Sequence, residues 1–168
     1  MKKLLFGLAA ASLFGSPVSA QEPVNAPACN IATPAVPAAL QEMQYITEAR
    51  PTDDAKFYIY LCSASWCGPC RAIMPKIVAE YPAIKAAGGE MILLCFDHSQ
   101  QAGEAYTQKY NIEFPTIMSS FRATAKRGLP GLSMPKGIPF VIFVTPEGKV
   151  LHSGFGGSLL NWQEITSK

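Results

Sequence analysis

The sequence predicts an α/β fold built on a central mixed sheet, and three observations predict it. Residues 57–62, 91–96 and 140–144 form runs that are almost wholly apolar. Runs without polar–apolar alternation belong to strands buried on both faces. Between the first two runs, Ile73, Ile77, Val78, Tyr81 and Ile84 recur at helical spacing. Strand, helix and strand at this length make a right-handed parallel crossover. After the third run, Pro146-Glu147-Gly148 turns the chain so that 149–153 returns antiparallel.

The chain has 168 residues, enough for one domain with a substantial core. Met1-Lys2-Lys3 is a basic start, 4–14 is apolar, and Val18-Ser19-Ala20 has the small-x-small form of a signal-peptidase site. Residues 1–20 are expected to be a secretory signal cleaved after Ala20, too short for a membrane span; an uncleaved anchor helix is the other reading. Fourteen basic and twelve acidic residues become twelve of each once Lys2 and Lys3 are removed. No charge run remains, which argues against nucleic acid or an anionic membrane as partner. Residues 21–39, rich in Pro and Ala, are expected to be an extended tether or a strap over the surface, and 40–168 the folded domain. Residues 40–49 suit a short helix or a strand, and 50–54 a turn. The helix after the first strand should cover 67–87, kink at Pro75 and end at Gly88-Gly89. Ser99 can cap a helix to residue 110. Residues 111–137 lack regular periodicity. Residues 154–157 should be a loop and 159–165 a final helix.

The chemistry centres on Cys67 and Cys70, separated by two residues at the start of a helix that follows a strand. There the unpaired N–H groups and the helix dipole favour a thiolate on Cys67, the expected nucleophile. Cys70, one turn on, can attack a mixed disulfide formed at Cys67. Gly68 permits the tight bend, and Pro69 suits a first helical turn that needs no N–H. A zinc site would call for a second Cys or His pair at knuckle spacing, which Cys29, Cys62, Cys95, His98 and His152 do not supply. No metal and no cofactor are expected.

Trp66-Cys67-Gly68-Pro69-Cys70 resembles the thioredoxin active site letter for letter, and Ser63-Ala64-Ser65-Trp66-Cys67 is similar to the tryparedoxin and nucleoredoxin branch. The resemblance covers roughly residues 56–155. It implies a thioredoxin-like fold with helices on both faces of the sheet, and a thiol–disulfide oxidoreductase. With a signal peptide the protein would act in a periplasmic or secreted setting, where disulfides persist. Its implied partners are protein disulfides or dithiols as substrates and a membrane thiol reductase as electron donor. A monomer without stable membrane insertion is expected. Reduction is the expected direction, since no His lies between the cysteines and neighbouring Arg71 should be solvated. The alternatives are a disulfide oxidase or isomerase, a thiol peroxidase, and a copper chaperone.

The resemblance also implies a cis-proline facing the cysteines just before a strand. Phe114-Pro115-Thr116 and Ile138-Pro139 both compete for it; the apolar strand and hairpin after Pro139 favour Ile138-Pro139. Ile138 would then offer its backbone to an extended substrate, and Trp66 would shield the disulfide or fill core. Leu61 stands where thioredoxins carry a buried Asp. Water, Glu80 or another group would take the proton from the resolving thiol, with Glu80 otherwise a solvated helix residue. Cys62 and Cys95 are expected to be sheet neighbours, either as inert buried thiols or as a second redox pair with each other or with Cys29. His98 is read as a surface residue or a tuner of the site's charge.

Overall fold

The computed structural model describes residues 35–120 and 128–167. The proposed signal, residues 21–34 of the tether and Cys29 lie outside them. The chain divides into Met1–Ile31 and Ala32–Lys168, and the described residues belong to the second unit.

Strand β1 (Phe57–Ser63) is buried along its whole length. It pairs in parallel with β2 (Gly89–Cys95), with Phe57 opposite Gly89 and Ser63 opposite Cys95. Successive side chains of a strand point to opposite faces. Tyr58, Tyr60 and Cys62 therefore enter one core layer, and Ile59 and Leu61 the other. Both layers are covered, which is why neither strand alternates with polar residues.

Two antiparallel strands, β4 (Phe140–Val144) and β5 (Val150–Phe155), extend the sheet beyond β1. On the other side lies a strand that periodicity does not reveal: β3 (Thr116–Met118), parallel to β2 within the stretch read as irregular. Three residues are too few to show a period. The sheet order is β3-β2-β1-β4-β5. The exposed edge of β3 is capped by the segment before β1. Tyr45 bridges Ile117, the Ile46 N–H donates to Thr116 O at 2.9 Å, and Thr47 Oγ1 accepts from Thr116 N at 3.1 Å.

Helix α1 (Val36–Gln41) begins inside the stretch read as tether. Val36 and Leu40 are fully buried, and each such burial contributes about 1.5–3 kcal/mol. They cover the face that carries Tyr58 and Tyr60. Helix α2 (Gly68–Ala86) and helix α3 (Gln100–Tyr110) cover the opposite face, joined by the 3-10 helix Gly156–Asn161 and α4 (Trp162–Thr166). Ser99 caps α3, its Oγ accepting from Ala102 N at 3.2 Å.

Several boundaries differ from expectation: the final helix expected over 159–165 is the 3-10 helix Gly156–Asn161 followed by α4, which begins only at Trp162. Gly88, at φ +83°, turns the chain out of α2, but Gly89 already belongs to β2. A Cβ at Gly89 would run into the Phe57 ring and Ile84, so close strand–helix packing explains this glycine. At the other end, Gly154 and Phe155 complete β5 where a loop was expected.

Candidate active site

The parallel strands β1 and β2 end on the same side of the sheet, and the site is assembled there. Beyond Ser63 the chain makes a turn closed by Cys67 N–H donating to Ala64 O at 3.2 Å. Cys67 is extended and caps α2 with its own sulfur, Sγ accepting the Cys70 N–H at 3.2 Å. A sulfur at this position meets one of the donors that the first helical turn leaves free. In the reduced state the same donor and the helix dipole would stabilise a thiolate.

Cys67 and Cys70 are joined as a disulfide with their Cα atoms 5.2 Å apart. Cys70 is wholly buried, while Cys67 keeps 6% of its surface exposed. Gly68 and Pro69 are exposed, and nothing approaches the position of a Gly68 Cβ within 4 Å.

The Ile138–Pro139 peptide bond is cis, and the Ile138 carbonyl oxygen lies 3.5 Å from Cys67 Sγ. Pro115 leads into β3 instead, its carbonyl accepting from Leu93 N at 2.8 Å. Trp66 is not core filling: it is 50% exposed beside the disulfide. Its indole N–H donates to Phe96 O at 3.1 Å, and its ring stacks on His98 with centroids 5.9 Å apart. His98 is thus a surface residue that borders the site.

Leu61 is fully buried on the α2 face and has no proton-accepting group. Glu80 does not replace the missing Asp. Its Oε2 accepts the Trp162 indole N–H at 3.0 Å, and ten residues of helix place it about 15 Å along the axis from Cys70.

Cys62 and Cys95 do not form a second redox pair with each other, and the alternative pairing with Cys29 lies outside the described residues. Cys62 is opposite Leu94, and Ser63 is opposite Cys95. One step of register sends the two sulfurs to opposite faces and into separate core layers. Burial pushes each thiol up to about 12; for Cys95 the neighbouring Asp97 adds lesser effects of both signs. Both thiols therefore stay protonated and unreactive at neutral pH.

The sequence reading places Asp97 after the second strand and Ser65 in the motif, but assigns no role to either or to Phe155. Asp97 is 6% exposed, and its carboxylate accepts from Ser65 N at 3.0 Å, from the Ser65 hydroxyl, and from the Cys95 thiol at 3.1 Å. The available signal was its place, directly after a buried strand at the sheet's carboxyl end. Phe155 is 70% exposed and stands next to Gly156, whose N–H donates to Pro139 O at 2.9 Å. Among the described residues no group of three or more His, Cys, Asp or Glu converges as a metal site, and no helix is long and apolar enough to cross a membrane.

Sheet order, crossover and the helix-capping cysteine pair together define a thioredoxin-like protein. The chain belongs to the AhpC/TSA family, whose profile matches residues 31–153. It is similar to nucleoredoxin from Mus musculus, at 33% identity over 90 residues that make up 53% of this chain and 20% of nucleoredoxin. It is also similar to the thiol-disulfide oxidoreductase ResA of Bacillus cereus, at 35% identity over 92 residues, 55% of this chain and 50% of ResA. The chain thus spans half or less of these curated relatives. Two solved structures share the fold. A thiol:disulfide interchange protein of the thioredoxin family from Chlorobium tepidum matches with TM-score 0.55 and 22% identity, over 68% of this chain and 80% of that one. A secreted thiol-disulfide isomerase from Corynebacterium glutamicum matches with TM-score 0.55 and 18% identity, over 67% of this chain and 72% of that one.

Proposed function

We propose that this protein is an exported thiol–disulfide oxidoreductase that reduces disulfides of other exported proteins. The observation that carries the proposal is the position of Cys67: its sulfur caps α2, belongs to the less deeply buried member of the pair, and faces the Ile138 carbonyl. The Cys67 thiolate attacks one sulfur of a substrate disulfide. That S–S bond breaks, a mixed disulfide forms, and the departing thiolate takes a proton. Cys70, deprotonated by solvent, then attacks the Cys67 sulfur and expels the second substrate thiolate, which is protonated in turn. The substrate gains two electrons and two protons, and the protein is left as the Cys67–Cys70 disulfide. A dithiol partner, a membrane thiol reductase, restores the reduced form.

Ile138 presents backbone to an extended substrate peptide, with Pro139 behind it and Trp66 and Phe155 as apolar walls. Export rests on the signal-like residues 1–20, supported by the secreted setting of the Corynebacterium glutamicum structure. Reduction rests on the Gly68-Pro69 pair, which lacks a His to deepen thiolate stabilisation.

Equilibration with a dithiothreitol or glutathione couple tests the direction. A potential below roughly −220 mV, with reduction of a test protein disulfide, is expected. A value near about −120 mV, with rapid oxidation of a reduced peptide, would make the protein an oxidase.

A further inference from the structure

Three consecutive residues after β2 grip two consecutive residues before Cys67. Asp97 takes the Ser65 N–H at 3.0 Å and the Ser65 hydroxyl. Phe96 O takes the Trp66 indole N–H at 3.1 Å, and the His98 ring lies nearly parallel to that of Trp66, at 8°. Ser65 and Trp66 are the central residues of the turn that Cys67 N closes onto Ala64 O. The turn has no partner of its own for the Ser65 N–H, so the carboxylate supplies one. A buried carboxylate needs several donors. The Cys95 thiol is the third, at 3.1 Å from Oδ2.

We propose that Asp97 is a positioning residue of the redox site: braced by the Cys95 thiol, its carboxylate holds the Ser65–Trp66 turn so that Cys67 stays at the N-terminus of α2. Their hydrogen bonds run to the Ser65–Trp66 turn, so the effect passes through the backbone. Displacement at sulfur needs accurate approach, and a misplacement of about 1 Å can cost on the order of a hundredfold in rate. The proposal gives Cys95 a role as hydrogen-bond donor to the site, where the sequence suggested either inertness or redox pairing. It rests on the oxidoreductase reading only for its turnover measurement.

The test uses the reduced protein carrying Trp162→Phe, so that Trp66 is the only tryptophan and can be excited selectively over the tyrosines. Three quantities are read: alkylation rate of Cys67 by iodoacetamide, acrylamide quenching of Trp66, and turnover of a test disulfide. Asp97→Asn keeps the side-chain shape but turns one acceptor into a donor facing donors. It should slow alkylation roughly tenfold and make Trp66 more quenchable while the fold persists by circular dichroism. Asp97→Ala should do the same or more. Cys95→Ser, which keeps a donor, should stay within about twofold of the parent, and Cys95→Ala should shift in the direction of Asp97→Asn. A folded Asp97→Asn with parental alkylation and quenching overturns the proposal. So does a Cys95→Ser that behaves like Asp97→Ala. A parent that alkylates normally yet turns over no disulfide would overturn the oxidoreductase reading, and alkylation and quenching would still judge Asp97.

Discussion

Glu90 is fully buried, and removing it offers a test of the scaffold that leaves the redox site in place. It sits near the start of β2, opposite Tyr58, while the site follows the far ends of β1 and β2, five residues on and about 16 Å away. Its two oxygens share four donors. Oε2 accepts from Thr52 N and from the Lys85 ammonium, both at 2.9 Å; Oε1 accepts from the Tyr81 hydroxyl and from Met91 N, both at 3.0 Å. Glu90→Ala orphans two backbone N–H groups and a tyrosine hydroxyl, each costing about 1–3 kcal/mol when water cannot reach it. Lys85 is 39% exposed and can turn to solvent, so its share is small. The expected loss is about 3–5 kcal/mol, the range for removing one partner of a buried ion pair. For a domain of this size that lowers Tm by roughly 6–20 °C. Glu90→Gln keeps one carbonyl acceptor and should lose about half as much. Lys85→Met leaves three donors on the carboxylate and should cost about 1 kcal/mol. Urea unfolding with calorimetry measures all three, and disulfide turnover per folded molecule should be unchanged. A Glu90→Ala loss below about 1 kcal/mol, or a Lys85→Met loss equal to it, would refute the ordering.

Cys67→Ser should abolish disulfide reduction, whereas Cys70→Ser should accumulate mixed disulfides visible on non-reducing gels, because attack survives and release does not. Equal trapping by both variants would reverse or dissolve the role assignment. Stability should fall as pH rises from about 9 to about 12: Cys62 and Cys95 hold their protons to about 12 when folded but ionise near 9 when unfolded. The raised folded value means the contribution is whole below pH 9 and lost as pH climbs through the folded value. Urea midpoints across that window should be flatter for Cys62→Ala than for the parent. Gly156→Ala places a Cβ 2.8 Å from Pro139 Cβ, pushing the Ile138–Pro139 segment against the site. Disulfide turnover should drop about tenfold with a stability loss of about 1–3 kcal/mol, and an unchanged rate would show that this segment does not set the geometry at Cys67.

What the sequence determined by itself was local. Cys67 and Cys70 are three residues apart, so the spacing and a helix start suffice to place one sulfur at the cap and the other a turn inside. The long strands were legible because burial on both faces leaves no room for polar residues, and α3 was legible through its Ser99 cap. Tertiary structure alone decided the rest. Asp97 reaches Ser65 across 32 residues, Ile138 reaches Cys67 across 71, and Thr52 reaches Glu90 across 38. Each of those contacts depends on strand order and register, which no local pattern encodes. Register also decided the fate of the two buried thiols, because side chains on a strand alternate and one residue of offset puts Cys62 and Cys95 on opposite faces of the same sheet.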